Sequence, residues 1–242
     1  MIIVNNNPKR LDQYLCNGVF VKTMDFANEP KVVFWKQTVE KAGCTIKKLV
    51  PLSLLHKKSG ELLFALCDST VIDPHGASLP GYIFIRGSAC IIVPLIRNST
   101  TQEERFCMIL QRRIGNGAEN LEFPAGMLDR QIEAIEQVAL SELREETGII
   151  IQAHDLRPLH NGPLYSSPGA SDEGIYYFGC IISLEDSEYK SLEGKRCGNK
   201  SENENITVTL CTREEAETKT ISLQARLGLC LFTEYLKKTR RA

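Results

Sequence analysis

The chain has 242 residues, of which 43% are hydrophobic and 24% are charged. This is enough apolar material for a sizeable core, which argues against a disordered chain, and no apolar run reaches the length of a membrane span. The 29 Lys and Arg residues almost balance the 30 Asp and Glu residues, and the formal net charge of −1 makes a nucleic-acid partner unlikely because no broad basic field would gather it.

The nine cysteines include no CxxC pair and are odd in number. This pattern favours reduced thiols in a reducing compartment over a disulfide framework. Near the N-terminus, residues 5–8 are Asn-Asn-Asn-Pro, where a signal peptide would place its apolar region. The sequence therefore predicts a cytoplasmic protein, with import into an organelle left open.

The N-terminal half predicts one helix followed by strands. Residues 1–28 look irregular. Val32, Trp35 and Val39, with Gly43 just beyond, indicate a short helix over residues 32–41. Runs of β-prone residues separated by Gly and Pro then predict strands over residues 45–49, 62–67, 82–96 and 106–111.

A second helix is predicted between Asp129, a suitable N-cap, and Gly148, which fits a left-handed C-cap. Its apolar residues recur at three- and four-residue spacing, namely Ile135, Val138, Ala139 and Leu143. Residues 174–182 and 206–211 then read as strands, residues 185–204 as a polar, flexible connection, and residues 221–237 as a closing helix. Strands with helices on either side predict an α/β fold, an α/β/α sandwich with a mixed sheet.

Three carboxylates share one face of the predicted second helix. Glu145 and Glu146 follow Glu142 by three and four residues, within about 60° of it around the helix axis. Like charges this close repel unless hard cations with oxygen ligands lie between them, so Mg²⁺, or else Mn²⁺, is the expected cofactor. A Glu-rich helix face is more often solvated surface, and these residues alone leave both interpretations open.

The loop before this helix favours the metal site. Gly126 would allow the backbone to turn tightly and to aim the carbonyl of Ala125 at a cation. The predicted metal ligands are therefore Ala125, Glu142, Glu145 and Glu146.

Together these residues resemble the Nudix box, in which Gly, five residues, Glu and seven residues precede Arg-Glu-aliphatic-x-Glu-Glu-x-Gly-aliphatic. The chain departs from this pattern twice, because six residues separate Gly126 from Glu133 and Ser141 replaces the arginine. In the family the arginine supports the metal-binding glutamates, so its replacement bears on their orientation and on the catalytic rate. Arg144, one turn along, could compensate from a different direction on the helix.

Three stretches narrow the resemblance to ADP-sugar and ADP-ribose diphosphatases. Residues 80–87 (PGYIFIRG) resemble the strand that enters the core of those enzymes, and residues 121–129 (LEFPAGMLD) look most like the plant and protist ADP-sugar branch. Residues 167–173 (SPGASDE) resemble the Ser-Pro-Gly signature, whose Glu four residues after the Gly lies on a mobile loop and assists water activation. That residue is Glu173 here, although without the box a simple Pro-Gly turn would be the better interpretation.

The resemblance also implies substrate contacts. Arg86 and Arg113 match family arginines that contact the diphosphate, and forked guanidiniums suit phosphate oxygens. Arg112 is a rival to Arg113, and Glu122 could contact the sugar or a metal, or form a structural ion pair. Pro168 of the Ser-Pro-Gly signature is assigned to substrate binding.

An adenine base would need an aromatic surface. Trp35, Phe34 and Tyr165 are the candidates, with a core role equally open for the first two.

The resemblance implies cation-dependent hydrolysis of the diphosphate bond of a nucleoside diphosphate sugar, by Glu142, Glu145, Glu146 and Glu173, to AMP and a sugar phosphate. It also implies a Nudix hydrolase domain over residues 80–242. The β-containing N-terminal extension, residues 1–79, would help to form a homodimer and complete the substrate pocket. Two alternatives stay open: a catalytically weak module that binds a nucleotide sugar as a sensor, and a Nudix enzyme for another nucleotide, such as a triphosphate or capped RNA.

Overall fold

The computed structural model describes residues 13–16, 19–22, 26–128, 135–198 and 204–239. The chain divides into two compact units, of which the first combines Met1–Gly87 with Ser167–Glu173 and the second combines Ser88–Ser166 with Gly174–Ala242. The predicted domain boundary at residue 80 stays a prediction. Asp129 and Glu133, which the sequence placed at the start of the second helix, lie outside the described residues.

The prediction that residues 1–28 are irregular is wrong for residues 13–16 and 19–22. Strands β1 (Gln13–Cys16) and β2 (Val19–Lys22) pair antiparallel, with Cys16 opposite Val19. The sequence carries Asn17-Gly18 between two β-prone runs, which is a strong short-range hairpin signal that the prediction overlooked.

The rest of the first unit is a helix and an antiparallel sheet. The predicted helix is confirmed as α1 (Pro30–Lys41), and Pro30 suits its first turn because that position needs no N–H donor. The sheet has the order β3 (Thr45–His56), β4 (Leu62–Ile72) and β5 (Tyr82–Ile85). Trp35 is 6% exposed within the core of this unit. It is therefore a core residue and not a surface for a base.

The predicted strand over residues 82–96 is two strands. Strand β5 pairs with β4, whereas β6 (Ala89–Asn98) belongs to the sheet of the second unit. Gly87, with a φ of +81°, lies between them. Most side chains disfavour this left-handed conformation, and glycine tolerates it. The chain can therefore leave β5 and turn into β6 at Gly87.

The second unit is built on a mixed sheet. Its other strands are β7 (Glu104–Arg112), β8 (Glu119–Glu122), β9 (Ala125–Met127), β10 (Arg157–Pro158), β11 (Leu164–Tyr165), β12 (Gly174–Leu184), β13 (Arg196–Cys197) and β14 (Ile206–Cys211). The main order is β10-β12-β6-β7-β14-β13, and β11, β8 and β9 pair with β12, β7 and β6. Strands β6 and β12 are parallel and their other pairings are antiparallel, so the predicted mixed sheet is confirmed.

Helices cover both faces of this sheet. On one face, Cys90 and Ile92 of β6 pack in a cluster with residues of α2 (Ile135–Thr147) and α3 (Asp186–Leu192). On the other face, Ile91 and Val93 pack with residues of α4 (Arg213–Lys219) and α5 (Leu223–Thr239). This alternation along one strand places successive side chains in opposite layers. The predicted α/β/α sandwich is thereby confirmed.

Two C-terminal predictions need correction. The supposed flexible connection over residues 185–204 contains α3 and β13 in its described part. The closing helix begins at Leu223, and the shorter α4 precedes it. Thr212 and Glu215 form a reciprocal capping box at the start of α4, and their three-residue spacing was a usable sequence signal. No helix in the described part of the chain is long and apolar enough to cross a membrane.

The packing of α5 on β12 predicts that Gly179→Ala destabilises the protein. A Cβ atom at Gly179 would lie 2.4 Å from Cδ2 of the fully buried Phe232. Overpacking of this kind costs about 1–3 kcal/mol of unfolding free energy, measurable by urea denaturation followed by circular dichroism. Gly115→Ala is the matched control because nothing lies within 4 Å of its Cβ position. Equal unfolding midpoints for the two variants would contradict the prediction.

Candidate active site

Helix α2 is fixed to the sheet by its apolar face. Ala139 and Leu143 are fully buried in the core cluster that also contains residues of β6 and β12. The helix ends as predicted, because Gly148 has a φ of +77° and its N–H donates to the carbonyl of Arg144 at 2.8 Å. This packing fixes the positions of the carboxylates on the rest of the helix.

Glu146 is a buried carboxylate, with only 3% of the residue exposed. Its Oε2 accepts a hydrogen bond from the backbone N–H of Ala125 at 2.9 Å. Burial raises the pKa of Glu146 to about 8 although the Ala125 hydrogen bond opposes the shift; the charges of Glu142 and Glu204 raise it further and that of Arg113 lowers it. Near neutral pH the carboxyl therefore holds a proton unless positive charge is brought to it.

Glu142 lies directly against Gly126 of β9. A Cβ atom at Gly126 would lie 2.0 Å from Oε1 and 2.2 Å from Cδ of Glu142. The expected tight turn at Gly126 is wrong, because this residue lies in a strand paired with β6, opposite Cys90. Glycine is needed here because any side chain would displace the carboxylate.

Glu145 differs from its two neighbours. It is exposed, and its Oε1 accepts a hydrogen bond from the Ser141 hydroxyl at 2.8 Å. The residue that replaces the arginine of the Nudix pattern therefore contacts one of the predicted metal ligands, one helical turn away. Within the described residues, no three His, Cys, Asp or Glu side chains form a group that could hold a metal ion.

The donor types nevertheless suit a hard cation. Glu142 and Glu146 reach adjacent residues of β9, and carboxylate oxygens are the ligands that Mg²⁺ and Mn²⁺ prefer. Glu145 would have to leave Ser141 to join them. The N–H of Ala125 is used by Glu146, and the predicted role of its carbonyl as a metal ligand stays a prediction.

Two candidate substrate residues of the second unit contact each other. Arg113 donates from Nε and Nη2 to Oε2 of Glu122, at 3.0 and 2.6 Å. Arg112, the alternative to Arg113, donates to the carbonyl of Gly117 at 2.7 Å. This hydrogen bond joins it to the loop between β7 and β8. Because Arg113 also lowers the pKa of Glu146, its charge acts on that carboxylate.

The first unit holds the other candidates. Nη1 of Arg86 lies 2.8 Å from Oε1 of Glu173. The segment after Ser167 forms a turn, in which Ala170 donates its N–H to the carbonyl of Ser167 at 3.1 Å and Pro168 is exposed. The structure thus brings Arg86 and Glu173 together.

Tyr165, on β11, is 46% exposed and remains a candidate surface for a base.

Asp172 was missed by sequence reasoning, although its carboxylate accepts hydrogen bonds from the N–H groups of Arg86 and Gly87. No pattern in the sequence marks such a contact, because 86 positions separate Asp172 from Arg86.

The chain is similar to known proteins in sequence and in fold. Residues 87–227, more than half of the chain, match the family model of the NUDIX domain. Nudix hydrolase 14, chloroplastic, of Arabidopsis thaliana is 28% identical over 165 residues, which cover 65% of this chain and 52% of the relative. The chain thus spans about half the length of the curated relative it matches.

A solved structure provides a comparison of the fold. The crystal structure of an ADP compounds hydrolase superposes with a TM-score of 0.54 at 18% sequence identity, covering 82% of this chain and 97% of that chain. At this identity the likeness concerns the fold alone.

The burial of Glu146 predicts how stability depends on pH without added metal. Its folded pKa of about 8 lies above the ordinary value of 4.5, so the folded state holds the proton more tightly than the unfolded state. This contribution to stability is fully present below about pH 4.5 and is lost as pH rises through about 8. We expect Glu146→Gln, which stays neutral, to have the higher melting temperature at pH 8.5 in EDTA.

At pH 5 the wild type and Glu146→Gln should melt at similar temperatures, as followed by differential scanning calorimetry. Parallel curves of melting temperature against pH for the two proteins would contradict the assigned burial of Glu146.

Proposed function

The chain belongs to the Nudix family, and from this premise we propose that it hydrolyses the diphosphate bond of a nucleoside diphosphate sugar, such as ADP-ribose or ADP-glucose, to AMP and a sugar phosphate. The observation that carries the proposal is the pair of carboxylates, Glu142 and Glu146, held against consecutive residues of β9. The names of two similar proteins, Nudix hydrolase 14 and an ADP compounds hydrolase, support hydrolysis as the reaction class.

The acidic face of α2 is proposed to hold a divalent cation, Mg²⁺ or Mn²⁺. The ligands would be Glu142, Glu145, Glu146 and the carbonyl of Ala125. A bound cation supplies positive charge for the diphosphate and makes a water molecule more acidic. Glu146 then has to give up its proton, since a carboxylate ligand must be ionised.

Arginines and one further carboxylate are proposed to complete the chemistry. Arg113 would exchange its contact with Glu122 for phosphate oxygens, because its exposed fork suits a diphosphate. In the first unit, Arg86 is proposed to bind phosphate and Glu173 to accept the proton of the attacking water. Pro168 and Glu122 are proposed substrate contacts.

A module that only binds a nucleotide sugar is the second candidate. The hydrogen bond between Ser141 and Glu145 favours it, because this contact occupies a predicted metal ligand. The burial of Glu146 favours the enzyme. A carboxyl group that is buried beside a second glutamate lowers the stability of the fold at neutral pH. A protein that only binds a nucleotide sugar would not require such a destabilising group.

Compartment and assembly are also proposals. The cysteines whose side chains the structure describes are free thiols, namely Cys44, Cys67, Cys90, Cys107, Cys180, Cys197, Cys211 and Cys230. We propose a reducing compartment on this basis, with the cytoplasm as the simplest choice. The homodimer and the part of residues 1–79 in a substrate pocket likewise stay proposals.

A substrate panel tests the reaction. With Mg²⁺ we expect AMP release from ADP-ribose or ADP-glucose, with a kcat/KM higher than for a nucleoside triphosphate or capped RNA, measured by chromatography of the products. Glu146→Gln should lose at least about 100-fold in kcat while keeping its circular dichroism spectrum, because it removes a metal-binding charge. Preference for a triphosphate would overturn the substrate class, and tight binding without turnover would establish the sensor.

The contact between Gly126 and Glu142 gives a second test of the site. Gly126→Ala should lower kcat by about tenfold or more, because the new Cβ must push Glu142 from its position. It should also reduce the rise in melting temperature that Mg²⁺ produces. Because both changes act on one carboxylate, the double variant Gly126→Ala/Glu142→Gln should lose little more than Glu142→Gln alone. Additive losses would show that Gly126 acts elsewhere.

A further inference from the structure

The segment that carries Glu173 is bound to the end of β5. The N–H of Phe84 donates to the carbonyl of Ala170 at 2.8 Å, and Ser171 forms a parallel bridge with Phe84. These contacts explain why Ser167–Glu173 groups with the first unit and not with the strands that flank it in sequence. In this structure the segment is therefore hydrogen-bonded to strand β5.

Asp172 makes the attachment specific. Its Oδ1 accepts the N–H of Arg86 at 2.8 Å and that of Gly87 at 3.2 Å, and its Oδ2 lies 3.2 Å from the same Gly87 nitrogen. Burial raises the pKa of Asp172, and these backbone hydrogen bonds oppose that shift. Hydrogen bonds to a charged acceptor are about twice as strong as neutral ones, so this contact fixes the turn after β5.

The residues next to this contact are the two reactive candidates of the first unit. Arg86 carries one of the bonded N–H groups, and Glu173 follows Asp172 in the chain. Their side chains are 31% and 12% exposed and meet at 2.8 Å. A partly exposed ion pair contributes little to its own position, because holding two long side chains costs conformational entropy. The Asp172 contact, which fixes both backbones, supplies that position.

We propose that Asp172 is a positioning residue that sets Arg86 and Glu173 for reaction, an inference that rests on the proposed function. Asp172 acts through the backbone N–H groups of Arg86 and Gly87, from which its carboxylate accepts hydrogen bonds. Loss of its carboxylate frees the turn at Arg86 and Gly87 and lets Glu173 shift along with its loop. A shift of about 1 Å in a reacting group can lower a rate by about 100-fold.

Two substitutions at Asp172 separate positioning from a merely structural role. Asp172→Asn keeps a side-chain oxygen that can accept both N–H groups, whereas Asp172→Ala removes it. We expect kcat on the preferred nucleotide sugar to fall by about 10- to 100-fold in Asp172→Ala and to recover to within about threefold of wild type in Asp172→Asn. Mn²⁺ affinity, measured by electron paramagnetic resonance, should be unchanged in both because the proposed ligands lie in the second unit.

The matched control is Asp68→Ala. Asp68 is another carboxylate of the first unit, and it forms an exposed ion pair with Lys48 at 2.6 Å. Its removal should leave kcat at the wild-type value. A role of Asp172 in stability alone would lower the melting temperature of Asp172→Ala while leaving kcat per folded molecule unchanged, and that result would overturn the proposal.

Hydrogen exchange followed by mass spectrometry gives a readout that does not require turnover. Peptides that cover residues 82–87 and 167–173 should exchange at least about tenfold faster in Asp172→Ala and at nearly the wild-type rate in Asp172→Asn. Unchanged exchange in Asp172→Ala would overturn the proposal even if no nucleotide sugar is cleaved. Absence of turnover by the wild type, with faster exchange in Asp172→Ala, would instead count against the proposed function and leave the anchoring by Asp172 established.

Discussion

The contact between helix α2 and strand β9 is the constraint on which the acidic site depends. Glu146 is withdrawn from water, and a single N–H from Ala125 does not offset that loss, since its pKa remains raised to about 8. The apolar face of the same helix, through Ala139 and Leu143, holds the helix against the sheet. The free energy of core packing therefore keeps a carboxyl group where its own solvation would not place it.

Glu145 and Glu122 are held by side chains instead of the backbone, and they respond differently. Glu145 accepts from Ser141 and Glu122 accepts from Arg113, both near the surface. Contacts of this kind contribute little to stability and exchange readily with water or a ligand. A serine hydroxyl also brings no positive charge, so it orients Glu145 without reducing the repulsion among its neighbours as an arginine would. The site combines fixed carboxylates with others that can change partner.

Sequence reasoning succeeded where the structure depends on spacing within one element. The period of α2, its glycine C-cap and the β-prone runs of β7, β12 and β14 were predictable for that reason. It failed where distant residues meet. The need for glycine at position 126 comes from Glu142, which follows it on another element, and the division of residues 82–96 follows from pairing in different sheets. The pairing of β1 with β2 was missed although the sequence carries an Asn-Gly signal between them.

In both units, backbone N–H groups hold a carboxylate in place. In the second unit the N–H of Ala125 donates to Glu146, and in the first the N–H groups of Arg86 and Gly87 donate to Asp172. A backbone donor cannot rotate away or lose its charge as a side chain can, so its position follows from the fold alone. Burial raises the pKa of both carboxylates, which shows that solvation is not what holds them there. Backbone hydrogen bonds therefore set the positions of Glu146 and Asp172, whereas Glu145 depends on the side chain of Ser141.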